Sequence, residues 1–196
     1  MQGILIPIVG NEDKGIGKNE MYTLEFIGRG ILANVVKESG GTDAKIVVIT
    51  TASSIPQEVG ENYKIAFAKL ACNYVTILDI RDREKSEEPE ILQLIHEADC
   101  VLFSGGDQSK IVDFIGNTSL HKLLLDKLET THFVLAGTSA GAMCMSKPMI
   151  RGGHVSDALF KGGVLMRDGM GFLDDVIIDS HFIQRGRFGR LTEAVA

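Results

Sequence analysis

Short apolar runs rich in branched residues alternate along the chain with longer stretches of helical period. "GILIPIV" is followed by apolar positions at Leu24, Ile27, Ile31, Val35 and Val36, spaced for one helix face and ended by Gly40 and Gly41. "KIVVIT" reads as a buried strand, and a helix after Pro56 runs through Tyr63, Phe67 and Leu70. "YVTILDI" and "CVLFS" repeat the strand signal, with a short helix near Ile91 to Ile95 between them. "SLHKLLLDKLE" predicts a helix, "HFVLA" a strand and "DVIIDSHF" a late strand. Strands this short and apolar, separated by helices, are the pattern of a parallel sheet covered on both faces. The predicted fold class is α/β, a three-layer α/β/α sandwich around a mostly parallel sheet.

Two polar stretches refine this. "RDREKSEEPE", from Arg81 to Glu90, predicts a solvated entry to a helix, with Ser86 as N-cap and Pro89 in the first turn. "RGRFGRLTEAVA" begins a helix on Leu191 and Val195 and stops at Ala196 with no Gly, Pro or polar tail. Helix ends normally supply partners for their last carbonyls. The expectation is one domain over residues 1–196 whose C-terminal portion is incomplete.

With 44% hydrophobic and 23% charged residues among 196, the chain can bury one substantial core. A net charge of −6 leaves no overall basic footprint, which argues against nucleic-acid or anionic-membrane binding. Pro7 breaks the first apolar run, no basic segment precedes it, and no window approaches the roughly 20 apolar residues of a membrane span. A cytoplasmic protein is expected. Cys72, Cys100 and Cys144 are widely spaced, with no CxxC pair, and read as buried reduced thiols. Neither a metal nor a cofactor is expected.

The chemistry concentrates at strand ends, where ligands bind in open α/β sheets. Gly137-Thr138-Ser139-Ala140-Gly141 satisfies G-x-S-x-G, a nucleophile elbow that exposes a serine oxygen on a sharp strand-to-helix turn. The N–H of Ala140 can then face a developing oxyanion, and the glycine pair in "VLFSGGDQ" supplies a second donor, most simply Gly106. A serine needs a base, and histidine is the commonest. His181 closes "DVIIDSHF", and a two-residue period sets Asp179 on its face of the sheet. His96, His121 and His132 read as packing or surface residues, and His154, in "RGGHVSD", is an outside candidate. Arg185, Arg187 and Arg190 follow His181 within an acidic protein. Their planar forks fit carboxylates, which points to an acidic substrate.

"NEDKG", "FSGGDQ", "GTSAGA" and "DSHFIQRGRFGRL", in this order across nearly the whole chain, resemble the serine peptidase family that contains the cyanophycinases and the aspartyl dipeptidases. "GTSAGA" and the arginine segment look closer to the cyanophycinase side. The resemblance implies a flavodoxin-like domain related to class I glutamine amidotransferases, a homodimer, and no metal. It implies hydrolysis of cyanophycin (multi-L-arginyl-poly-L-aspartate) to β-Asp-Arg dipeptides through an acyl-enzyme on Ser139, with His181 as base and then acid. Gly106 and Ala140 would form the oxyanion hole. Gln108, Asp179, Ser180, Arg185, Arg187 and Arg190 would line the substrate site, with Asp179 available to a substrate guanidinium. Ser180 departs from the glutamine of many relatives. The triad acid is implied in a segment after the arginine helix, which lies outside these residues, and Asp157 and Asp179 are the alternatives within them. Two other outcomes stay open, a peptidase for short Asp peptides and a weakly catalytic binding module for acidic peptides. An amidotransferase is disfavoured, because the elbow carries serine and Cys144 lies five residues downstream.

Overall fold

Five of the apolar runs form one sheet: β1 (Ile4–Ile8), β2 (Ile46–Ile49), β3 (Val75–Leu78), β4 (Cys100–Phe103) and β5 (Val134–Thr138). The computed structural model describes residues 2–16, 25–153, 163–183 and 185–195. Every neighbouring pair is parallel, in the order β1-β5-β4-β2-β3. Parallel neighbours cannot be joined by a tight hairpin, so the connections cross over through helices.

Alternation along each strand distributes the core to both faces. Ile46 and Val48 join a cluster with Leu32, Val35 and Val36 of α2 (Ile31–Glu38) and Tyr63, Ala66 and Phe67 of α3 (Pro56–Lys69). Val47 and Ile49 join the opposite cluster, with Ile95 of α4 (Pro89–Glu97), Ile111 and Ile115 of α5 (Gln108–Ile115), and Leu120, Leu124 and Leu128 of α6 (Ser119–Thr130). Each fully buried Val, Leu, Ile or Phe among these contributes about 1.5–3 kcal/mol relative to exposure. The result is the three-layer α/β/α sandwich that the periodicity predicts.

Several elements differ from the sequence expectation. The first helical pattern breaks at Gly30 into α1 (Phe26–Arg29) and α2, and Leu24 lies outside the described residues. Helix α5 was not anticipated; its N-cap is Asp107, whose carboxylate accepts from the Ser109 N–H at 2.9 Å. Ser86 does not cap α4. It is buried in a 3-10 turn over Glu84–Glu87 and donates to Phe114 O at 2.9 Å, while Arg83 donates to the carbonyls of Asp113 and Gly116. The charge run is therefore partly a clasp on the end of α5, because free helix-end carbonyls attract donors. Strands β6 (Pro148–Gly152) and β7 (Leu165–Asp168) form an antiparallel hairpin whose mixed polarity gave no strand signal. After β5 comes the single turn α7 (Ala140–Met143), and α8 (Phe188–Val195) ends the described chain.

"DVIIDSHF" is the largest departure. Residues 176–180 form no ladder. They pass beyond the end of β1, where the His181 N–H donates to Val9 O at 2.8 Å. An apolar run can be buried across strand ends as well as along a sheet edge, and its composition does not distinguish the two.

His121, read as a packing residue, is buried on α6. Its Nδ1 accepts the Asn117 N–H at 3.0 Å, so Nε2 carries the proton toward Met170 O at 2.6 Å. Burial pushes its pKa below the ordinary value, opposed by the Met170 carbonyl. The unfolded chain then binds the extra proton more readily, so this contribution to stability is present above about pH 6.5 and is lost as pH falls through the folded value. Melting curves at pH 7.5 and 5.5 should show an acid loss that is smaller in His121→Gln; an equal loss in both proteins would assign it to other groups.

Candidate active site

Strand β5 lies between β1 and β4 and ends at Thr138, so the next residue emerges at the carboxyl edge of the sheet. Ser139 has φ +51° and ψ −106°, a conformation costly for any residue with a Cβ. The surroundings impose it. Its N–H donates to Ile8 O at 2.8 Å, and its carbonyl accepts from the N–H groups of Ala142 and Met143. A Cβ on Gly137 would lie 2.3 Å from Gly141 O, and one on Gly141 would lie 2.3 Å from Phe103 O. Both positions therefore require glycine, and the G-x-S-x-G spacing is the record of strand and helix approaching backbone to backbone.

The chain returns to this serine at His181, whose Nε2 is 2.9 Å from Ser139 Oγ. Burial lowers the His181 pKa first, then the Arg185 and Arg187 charges, against the pull of Asp179. A neutral ring near pH 7 leaves Nε2 able to accept the serine proton. Among the described residues no carboxylate bonds the other ring nitrogen. Asp157 and His154 lie outside the described residues.

Asp179 does not share a sheet face with His181, because no strand forms there. Its carboxylate, 1% exposed, is held by Arg190 through Nε at 3.0 Å and through Nη2, and by Arg187 Nη1 at 3.3 Å. It is thus committed to the protein's own guanidinium groups rather than open to one from a substrate. The pairing also resolves the cost of cations at a helix start, since Arg190 sits in the first turn of α8 with a buried anion against it. Arg187 further donates to Ser180 O at 2.6 Å. Ser180 is 1% exposed, with Oγ 3.2 Å from Met143 Sδ and 3.4 Å from Ser139 Oγ, so it is packed behind the Ser139 hydroxyl. Arg185 is exposed and makes no side-chain bond among the described residues, which leaves it free for an anion.

The glycine loop after β4 lies beside the serine. A Cβ on Gly105 would be 3.5 Å from Ser139 Cβ, and Gly106, at φ +144°, has Ala52 O where its Cβ would be. Among the described residues the N–H groups of Gly106 and Ala140 meet no protein acceptor. Gln108 donates to Ile150 O at 2.8 Å and Arg151 O at 3.2 Å, holding β6 over α5, so its carbonyl oxygen is what remains for a ligand.

A cleft of about 270 Å³ adjoins Gly105, Gly106 and Thr138, with Asn11, Lys14 and Asn62 among its walls. Glu12 is buried near it, bonded by Tyr63, Thr138 and Lys14. The sequence sets Tyr63 on a helix face and Glu12 within "NEDKG" without giving either a part in the site; an acidic residue just past an apolar strand was the available signal. His96 is exposed, and exposed His132 bonds Glu38 O at 2.9 Å. The three cysteines are buried and free, and burial pushes the Cys100 thiol up to about 12 and raises that of Cys144 as well. Among the described residues no group of three His, Cys, Asp or Glu converges as metal ligands would, and no helix is long and apolar enough to cross a membrane.

Residues 28–196 match the description Peptidase family S51. Over 196 residues the chain is 31% identical to a cyanophycinase of Geminocystis herdmanii, covering all of this chain and 68% of that protein. It is 35% identical over 192 residues to a cyanophycinase of Trichormus variabilis, covering 98% and 61%, and 33% identical over 195 residues to one of Synechococcus elongatus, covering 100% and 57%. The chain thus spans roughly three fifths of the length of these curated relatives. In fold it is similar to a peptidase from an acI-B1 Actinobacterium, with TM-score 0.66, 20% identity and coverage of 97% and 72%. A putative peptidase E of Listeria monocytogenes is similar too, with TM-score 0.56, 18% identity and coverage of 83% and 81%. A match along most of the sequence, with relatives above 30% identity over its full length, places this chain in peptidase family S51.

Proposed function

We propose that the protein is a serine exopeptidase that releases β-Asp-Arg dipeptides from cyanophycin. The observation that carries the chemistry is the 2.9 Å contact between Ser139 Oγ and His181 Nε2 at a strained elbow. His181 takes the hydroxyl proton as Oγ bonds the scissile carbonyl carbon, and the carbonyl oxygen becomes an oxyanion facing the N–H groups of Ala140 and Gly106. Collapse re-forms the carbonyl and breaks the C–N bond, with the same proton passing from His181 to the leaving amine. Water, deprotonated by His181, then cleaves the ester and restores the serine. Arg185 meets a substrate carboxylate, while Arg187 and Arg190 shape the site through Asp179 rather than by direct contact. The choice of polymer follows the relatives named cyanophycinase.

The test is covalent labelling of the purified chain by a fluorophosphonate, located by peptide mass on Ser139, together with chromatography of dipeptide released from cyanophycin. Labelling should persist below the ordinary imidazole pKa, because the His181 value is lowered. No label and no dipeptide would refute the proposal. Turnover of Asp-X dipeptides but not of polymer would select the short-peptide peptidase instead.

The absence of a carboxylate on His181 Nδ1 among the described residues favours one other reading, a binding module for acidic peptides. It requires that β-Asp-Arg bind while Ser139 stays unlabelled.

A further inference from the structure

The segment leaving β1 touches both halves of the site. Ile8 O accepts the Ser139 N–H at 2.8 Å, and the next carbonyl, Val9 O, accepts the His181 N–H at 2.8 Å. Ser139 and His181 both have positive φ, +51° and +53°. Residues with a Cβ stay in that region only where their surroundings over-determine it. Two such residues, 42 apart in sequence, therefore hang from consecutive carbonyls at one strand exit.

Glu12 fixes that exit. Its side chain is fully shielded from solvent and accepts from the Tyr63 hydroxyl on α3 and from Thr138 Oγ1, with Lys14 Nζ at 3.0 Å. A buried carboxylate persists only with such partners, and the buried Tyr63 hydroxyl would be left unsatisfied without it. Thr138 Oγ1 also lies 2.9 Å from Gly10 O, so its single proton sits between that carbonyl and Glu12. The end of β5 is thereby tied to the exit of β1 through side chains as well as through the ladder, one residue before Ser139.

We propose that Glu12 is a positioning residue. By anchoring residues 9–12 to α3 and to Thr138, it sets where the Ile8 and Val9 carbonyls stand, and with them the separation of Ser139 Oγ from His181 Nε2. The inference rests on Ser139 and His181 acting as nucleophile and base, and Glu12 acts only through them.

Hydrogen exchange and labelling test it together. Glu12→Gln keeps the shape but turns an NH2 group toward one of the donors, Thr138→Val removes the hydroxyl that meets both Glu12 and Gly10 O, and Thr138→Ser keeps the hydroxyl. In the first two variants, peptides 134–143 and 176–183 should both exchange about tenfold faster, while those covering β2 and β3 keep wild-type rates. Fluorophosphonate labelling of Ser139 should slow by roughly tenfold to a hundredfold in the same two variants, with reagent affinity unchanged. Thr138→Ser should match wild type in both measurements. Unchanged exchange in Thr138→Val, or loosening of one peptide without the other, overturns the proposal. Should Glu12→Gln fail to fold, Tyr63→Phe, which removes another donor to Glu12 and leaves the Thr138–Gly10 contact in place, should loosen the same two peptides, and wild-type exchange in it overturns the proposal. Exchange is read whether or not Ser139 reacts, so an inert wild-type protein refutes the peptidase assignment while the exchange data still decide the role of Glu12.

Discussion

Asp179→Ala is expected to cost about 3–5 kcal/mol of stability, the penalty for removing one partner of a buried ion pair. Asp179 is 1% exposed, and the two guanidinium groups on it are 6% and 12% exposed. Without the carboxylate, Arg190 on α8 keeps a full charge out of water with no anion against it. For a chain of this size the loss corresponds to a fall in melting temperature of about 6–20 °C. The contrast is Asp174→Ala, which removes an exposed partner of Lys147 at 3.9 Å and should change stability by less than about 0.5 kcal/mol. Thermal melts of the two variants beside wild type make the measurement. An Asp179→Ala melting temperature within 2 °C of wild type, as a rough threshold, would mean that the arginines find other partners and that the clamp carries little stability.

The second large effect is on rate. If the proposed peptidase activity holds, Ser139→Ala, His181→Ala and the double variant should each lose on the order of 10⁴ to 10⁶ in turnover of cyanophycin, and the double variant should be no worse than the poorer single one. In the proposed mechanism the side chains joined by the 2.9 Å contact act as one proton-transfer unit, so removing either member disables it. Independent contributions would multiply instead. A double variant slower than either single one by the product of their effects would show that Ser139 and His181 act separately. Arg185→Ala belongs in the same series, because its side chain is unpaired among the described residues; it should weaken substrate binding without lowering the melting temperature.

Four features of the candidate site were legible before the fold. Small residues around Ser139 marked the elbow because two backbones must touch at Gly137 and Gly141, and that constraint is written in residue identity. The glycine pair at Gly105 and Gly106, His181 at the end of an apolar run, and the density of arginine after it were equally local signals. What failed was inference from period to partner. The alternation that set Asp179 beside His181 assumed a strand, and the run has no sheet neighbour because it crosses strand ends. The three arginines looked alike in sequence. Folding sorts them by depth, with Arg190 and Arg187 on Asp179 and Arg185 in solvent.

By itself the sequence determined the five strands of the parallel sheet, most of the helices between them and the glycine-flanked turn at Ser139, because period, branching and glycine placement act over a few residues. Only the tertiary structure decided which carboxylate meets which cation, that Gln108 holds the hairpin, and that Glu12 is buried against Thr138, one residue before Ser139. Those outcomes depend on contacts between segments distant in the chain, and burial there selects among polar side chains that look equivalent in the linear sequence.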